Sequence, residues 1–407
     1  MTSFPRPQIA SKVARLASGQ LFRLLSEAHD NHAIDLALGV PEMPFTARDL
    51  IETAATVLRG GQHNQYANPF GNPLLRKQIA DTFRPAADPE TELTITVGAT
   101  EALHTAVLTV IEPGDEVVLF EPIYDNFLSA IALAGGIPRP ISLSPPHWRH
   151  DPAELRAAFG PRTRAIIVST PNNPTGHMLS RAEWTEIAEL CQHWNAVVIS
   201  DEIYSGYVFD GHRHISAADI PGLRDRYFVA GSLSKSHAIC GWRIGYLRAA
   251  AALTAAARQV HIAVCGGTAA PLQEAVARAA AADPGFPRPS TDLRAQRDRT
   301  IEMFDQLDFR CVPPDGGCYV MADITSFTEA DSETFAEQLL RHAGVLVVPG
   351  RYFYLDDNDH RDAFVRVAFN RSLSLLDDAE QRLSACAPGA RRPPRTTISE
   401  HGRTAWR

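Results

Sequence analysis

The sequence predicts an α/β protein: a large unit with a mainly parallel central sheet covered by helices, followed by a smaller α+β unit. Three observations carry this. From about residue 46 to 285, apolar runs of four to six residues alternate with longer stretches of helical periodicity. Each run ends in polar or conformationally special residues, as strands do at the ligand-binding edge of an open sheet. Beyond the Pro- and Gly-rich cluster "ADPGFPRPS" at 282–290 the pattern changes to one helix and then to runs that read as antiparallel strands.

Residues 1–45 are read as an N-terminal segment belonging with the small domain, 46–287 as the large domain, 288–386 as the C-terminal small domain and 387–407 as a disordered tail. The strands of the large domain are "LTITV" (93–97), "EVVLF" (116–120), "AIIVS" (165–169), "AVVIS" (196–200) and "YFVA" (227–230). Alanine-rich helices such as "TEALHTAVLTVI" and "RAEWTEIAELCQHW" lie between them. In the small domain a helix over Thr291 to Leu307 leads into "CYVMADI", "GVLVVPG" and "FVRVAFN", which look like an antiparallel meander. The tail, "APGARRPPRTTISEHGRTAWR", is rich in Pro and Arg without periodicity.

Composition narrows the function. With 407 residues and 45% hydrophobic residues the chain buries a real core, and a net charge of -8 disfavours nonspecific binding to nucleic acid or anionic membrane. No apolar run approaches the roughly 20 residues of a membrane span. The start "MTSFPRPQIASK" lacks a signal-peptide layout, so a cytoplasmic location is expected. Six cysteines without a CxxC pair read as reduced, mostly packed thiols. The pairs His147/His150 and His212/His214 have no regular set of ligands around them and read as surface or loop histidines; no metal is expected.

The strand ends collect the chemistry. "LTITV" runs into "GATEAL", where Gly98, Ala99 and Thr100 open a helix whose free N–H groups suit a phosphate. "EVVLF" runs into "EPIYD", with Tyr124 placed to stack on a flat ligand. "AIIVS" runs into "TPNNPTG", where two prolines fix Asn173 in a rigid loop, with the Asn173–Pro174 bond expected to be cis. "AVVIS" runs into Asp201 and then Tyr204, and "YFVA" into "GSLSKS" and then Arg243. Singly, each item has an ordinary packing or turn role. Together, a phosphate nest, an aromatic face, an amide, a carboxylate, a phenol, a lysine and an arginine around one sheet edge are what pyridoxal 5'-phosphate requires.

These motifs carry a resemblance. "SLSKSHAICGWRIGY", "PNNPTG" and "DEIY" resemble the lysine signature, asparagine loop and pyridine-nitrogen motif of the class I/II aminotransferases, the pyridoxal-phosphate enzymes of fold type I. The likeness runs from about residue 30 to 385. "TVGATEAL" with "FEPIYDNF" looks most like the kynurenine, methionine and succinyl-diaminopimelate aminotransferase branches. The resemblance implies that Lys235 forms the Schiff base and then moves the substrate α-proton. It implies that Ser232 and Arg243 reach the cofactor phosphate, with Ser234 assisting or shaping the loop, and that Ala99 and Thr100 add backbone N–H groups. Asp201 would hold the pyridine nitrogen protonated, Tyr204 and Asn173 would bond the phenolic oxygen, and Tyr124 would stack on the ring. Tyr66, in "QYANPFGNPLLR", would reach the phosphate of the neighbouring subunit, which makes a homodimer the functional unit.

For the substrate, the resemblance assigns Arg366 in "FVRVAFN" and Gly39 in "LALGVPEMP" to the α-carboxylate. The expected reaction moves the amino group of an L-amino acid to a 2-oxo acid. The same scaffold also supports elimination, replacement, cyclisation or oxidation of a specialised amino acid. A ligand-sensing regulator would need a DNA-binding domain, for which the roughly 30 residues before the first motif leave no room. The chain departs from the family pattern where "NLGQGFPD" becomes "DLALGVPE", placing Ala37 and Leu38 near the substrate mouth, where a small-domain loop carries a bulky cation, Arg351, and where an aromatic is missing from "GFPRPSTDLRAQRD". Arg351 either faces the pocket, favouring a substrate with a distal carboxylate, or points to solvent.

Overall fold

The computed structural model describes residues 9–16, 20–42, 45–283, 286, 292–355, 358 and 360–386. In chain order its strands are β1 (Ile34–Asp35), β2 (Leu93–Val97), β3 (Glu116–Glu121), β4 (Ile137–Ser142), β5 (Thr163–Ser169), β6 (Val197–Asp201) and β7 (Tyr227–Ser232). They continue with β8 (Ile244–Ala249), β9 (Arg310–Cys311), β10 (Tyr319–Asp323), β11 (Val345–Leu346), β12 (Val348–Pro349) and β13 (Phe364–Ala368). Seven of them form one sheet in the order β2-β8-β7-β6-β5-β3-β4, in which β8 alone runs antiparallel to its neighbours.

Both faces of this sheet are covered, which is why its strands read as continuous apolar runs. Val118, Ile166, Val198 and Val229 pack on one side with Trp184 and Ile187 of the helix Arg181–Trp194. Val117, Ile167, Ile199 and Phe228 face the other side with Leu103 and Ala106 of the helix Gly98–Val110. Trp184 is fully buried and its indole N–H donates to the Ile215 carbonyl at 3.1 Å, so its large apolar area leaves no polar group unmet. The same helix begins with a capping box, Ser180 with Glu183, and stops at Asn195 in the left-handed conformation. Losing such a cap costs about 1 kcal/mol.

The five predicted strands of the large sheet are all present, and two more join them. β4, "IPRPIS", carries prolines at 138 and 140, which cannot donate to a ladder; it lies at the sheet edge, where one side of its backbone needs no partner. β8 begins in the last three residues of the "SLSKSHAICGWRIGY" motif and continues to Ala249.

The second sheet, β12-β13-β10-β9, is antiparallel throughout but is not a simple meander. β13, the last strand in sequence, lies between β10 and β12. The run "GVLVVPG" divides at Val347: β11 pairs in parallel with β1, while β12 pairs with β13. Each half thereby satisfies its backbone on a different neighbour. The helix expected over 291–307 spans Arg294–Gln306, and the 387–407 tail lies outside the described residues.

Candidate active site

The carboxyl ends of the parallel strands meet at one edge of the large sheet. Ser169 pairs with Asp201, Asp201 with Ala230, Ser232 with Gly245 and Val97 with Ile244, so the strand-end motifs become neighbours. A cavity of about 730 Å³ opens there, its lining including Gly39, Tyr124, Asn173, Tyr204, Lys235 and Arg366.

Lys235 follows β7. Its Nζ donates to the Gly39 carbonyl at 2.7 Å and lies 3.8 Å from Cys240 Sγ. The Tyr207 hydroxyl donates to the Lys235 carbonyl at 3.0 Å and so fixes its backbone.

Asp201 ends β6 and is 2% exposed. Among the described residues its carboxylate accepts one hydrogen bond, from the Ile203 N–H at 3.2 Å, and pairs with no cation. Burial therefore pushes its pKa up to about 7. Its neighbour Glu202 is satisfied elsewhere, by Ser200, Ser216, the Ala217 N–H and His214.

The candidate anion cradle is built from close approaches. Gly98 opens its helix at φ +71°, and a Cβ there would collide with the Arg243 guanidinium. A Cβ at Gly245 would lie 2.7 Å from the Ala99 nitrogen. Glycine at both positions lets β8 and the helix start touch. Arg243 is itself left-handed, at φ 54°, and donates to the Cys240 carbonyl at 3.0 Å. The Ser232 hydroxyl donates to that of Ser234 at 2.9 Å, and the Ser234 N–H returns a bond of 3.0 Å. With the free amides of Gly98, Ala99 and Thr100, these groups suit a phosphate.

Arg366, on β13, is 4% exposed. It donates to Asn173 Oδ1 at 2.8 Å and to the Ala37 carbonyl at 2.7 Å, and its guanidinium lies 4.1 Å from the centre of the Tyr319 ring. Its Nε has no partner, and among the described residues no carboxylate is within ion-pair distance. A buried cation in that state calls for an anion. Tyr204 is buried, its hydroxyl donating to that of Tyr319 at 3.3 Å, and Tyr124 accepts from Asn126 at 2.6 Å. Burial raises both phenols above their usual range. The Asn173–Pro174 bond is cis, as is Thr170–Pro171.

Tyr66 is fully exposed and does not line this chain's own cavity, as a residue expected to serve the neighbouring subunit would not. Other placements depart from the sequence reading. Arg351 borders the cavity, but Asp362 holds its guanidinium through two bonds of 2.8 Å, with Glu333 3.5 Å away. Its side chain is partly exposed, and the two-bond pair with Asp362 already occupies the face a distal carboxylate would need. His150 lies in a loop, but a buried one, bonded to Glu186 at 3.3 Å and stacked on Phe120 rather than at the surface. Cys191, Cys240, Cys265, Cys311 and Cys318 are free thiols. Sequence reasoning missed Tyr319, Phe353 and Tyr207, because an aromatic within an apolar run carries no signal beyond core packing. Gly39 is explained by one of them: a Cβ there would overlap the Tyr319 hydroxyl before it crowded any ligand.

A lysine amine, a buried carboxylate without a cation and a nest of amides, set at the carboxyl edge of a doubly covered parallel sheet, describe the pyridoxal 5'-phosphate enzymes of fold type I. Residues 32–383 match the family "Aminotransferase class I and II", and the chain belongs to it. It is 32% identical over 380 residues to methionine aminotransferase of Escherichia coli K12, covering 92% of this chain and 97% of that one. It is 34% identical over 360 residues to arginine–pyruvate transaminase AruH of Pseudomonas aeruginosa, covering 86% and 89%. The solved structure of N-succinyldiaminopimelate aminotransferase from Mycobacterium tuberculosis superposes with a TM-score of 0.88 at 34% identity, over 93% of this chain and 100% of that one. The protein is a pyridoxal 5'-phosphate-dependent aminotransferase.

Proposed function

We propose that Lys235, Asp201 and Arg366 form the working centre of this aminotransferase, taking nitrogen from an L-amino acid and giving it to a 2-oxo acid. The observation that carries the reading is Arg366: a buried guanidinium with no acid in ion-pair distance among the described residues, in the same cavity as the Lys235 amine. A substrate α-carboxylate meets that need bidentately. Bound pyridoxal 5'-phosphate supplies an aldehyde that condenses with amines and a ring that takes up the electrons of the broken Cα–H bond.

Lys235 is the amine for that aldehyde and, once displaced by substrate, the base that removes the α-proton and returns it. Asp201 holds a proton on the ring nitrogen by charge pairing. Tyr204 and Asn173 would donate to the phenolic oxygen: the Tyr204 hydrogen turns away from Tyr319, whose hydroxyl can donate back to Tyr204, and Asn173 Oδ1 is occupied by Arg366, which leaves its Nδ2 hydrogens for this bond. Tyr124 stacks on the ring, while Gly98, Ala99, Thr100, Ser232, Ser234 and Arg243 form the phosphate site. Gly39 keeps the chain close to the carboxylate. Incubation with single amino acids, without acceptor, tests the reading by chromatography: one 2-oxo acid is released per active site. Release of free ammonia would overturn it.

Asp201 gives a pH test. Its pKa is about 7 in the folded chain against an ordinary 3.8, so between those values the folded form binds the extra proton. Its contribution to stability therefore falls as pH rises from about 4 to 7, by a few kcal/mol at about 1.4 kcal/mol per pKa unit. In the cofactor-free protein, the stability difference between wild type and Asp201→Asn in urea should decline over that range. Added cofactor should reverse the decline. A pH-independent difference would show that burial does not raise the Asp201 pKa, and a decline that added cofactor leaves unchanged would remove Asp201 as the ring's partner.

The functional unit we propose is a homodimer. Tyr66 is fully exposed, and Ile262 and Val264 present apolar surface on the helix Ala251–Cys265. Tyr66 then reaches the neighbouring phosphate site. Sedimentation should give the mass of two chains, and a monomer mass with full activity would exclude this. We further propose a large domain over 46–287 and a small one over 288–386, the latter joined by residues 1–45; the pairing of β1 with β11 supports the joining. A place in amino acid biosynthesis in the cytoplasm fits the free thiols and the absence, among the described residues, of a helix long and apolar enough to cross a membrane.

A further inference from the structure

The helix that opens the phosphate cradle carries an acid in its first turn. Glu101 suits the helix dipole, yet its charge opposes a phosphate dianion on the same amides. The acid is engaged on both oxygens: Oε2 accepts the Val97 N–H at 3.1 Å, and Oε1 faces the Thr105 hydroxyl and His261 Nδ1, the latter at 3.0 Å. His261, 1% exposed on the helix Ala251–Cys265, places its Nε2 2.8 Å from the Pro69 carbonyl. A carbonyl only accepts, so Nε2 bears a hydrogen. The Glu101 carboxylate likewise accepts from Nδ1, and the ring is an imidazolium.

The other groups around it agree with this. Burial and the nearby Arg258 disfavour the charge, but the bonds to Glu101 and Pro69 outweigh them and raise the pKa of His261. Cys265 Sγ lies 3.4 Å from Nδ1. Glu101, His261 and Cys265 could together hold a metal ion by spacing, but both ring nitrogens already face acceptors.

We propose that His261 is a positioning residue for the cofactor phosphate: as an imidazolium it neutralises Glu101 in the cradle helix and ties that helix, through Pro69, to the segment carrying Tyr66. This rests on reading Gly98 to Thr100 as the phosphate cradle. Without His261, Glu101 is left as an uncompensated negative charge beside the phosphate, and the affinity lost is specific to the phosphate.

The test is the ratio of affinities of the cofactor-stripped enzyme for pyridoxal 5'-phosphate and for pyridoxal, by equilibrium dialysis. His261→Gln should lower this ratio by about tenfold, a modest charge effect. The double variant with Glu101→Gln should restore it. If His261→Gln weakens both ligands equally, or if the double variant is no better than the single, His261 is only structural and the proposal falls. If the wild-type ratio is near one, the cradle reading itself is wrong. Should His261→Gln not fold, Glu101→Gln alone decides: the ratio stays level or rises, and a fall would show that the carboxylate helps to hold the phosphate.

Discussion

Replacing Lys235 by alanine is expected to lower amino transfer by about 10⁴-fold, the upper range for a positioned proton-transfer group, and to leave the fold intact. The fold should survive because the Nζ makes one short bond, to the Gly39 carbonyl, while the backbone of Lys235 is held separately by Tyr207. The chain has three lysines, so the chemistry is easily assigned. Lys12 lies exposed near the N-terminus and Lys77 is committed to an exposed pair with Asp81 at 2.6 Å. Borohydride treatment of the loaded enzyme followed by peptide mapping should mark Lys235. A mark on Lys12 or Lys77, or near-normal turnover in Lys235→Ala, would overturn the mechanism.

The second large effect is expected at Arg366. Truncating one partner of a buried, hydrogen-bonded charge pair costs about 2–5 kcal/mol, so Arg366→Leu should lower kcat/KM by about 10²- to 10³-fold. The loss should be uniform across amino acid donors, because the α-carboxylate is common to all of them. Methionine and glutamate make a sufficient comparison. A loss confined to one side-chain class would move Arg366 from carboxylate binding to side-chain selection. The variant also strands Asn173 Oδ1 and the Ala37 carbonyl, so melting temperatures are needed to separate lost binding from lost stability.

Arg351 shows how a site residue and a structural one can look alike before the fold is known. Both arginines lie on the small sheet's side of the cavity and both are flanked by apolar residues. Arg366 has no acid within ion-pair distance among the described residues; Arg351 has Asp362 in a two-bond pair. Asp362 is eleven residues further along the chain, with nothing in the intervening sequence to announce the pairing.

The sequence by itself determined the parallel strands, because burial on both faces writes a continuous apolar run into each of them. It also indicated which groups gather at one sheet edge, because each candidate cofactor group follows its strand within a few residues and an open sheet places those ends together. Tertiary structure alone decided the rest. It inserted β8 between β2 and β7, set β13 between β10 and β12, brought Asn173 to Arg366 across 193 residues of chain and paired Glu101 with His261 across 160. The physical reason is range. Periodicity, caps and turns are fixed by neighbours in sequence, whereas the partner of a buried charge is chosen by which surfaces pack together, and that choice leaves no local trace.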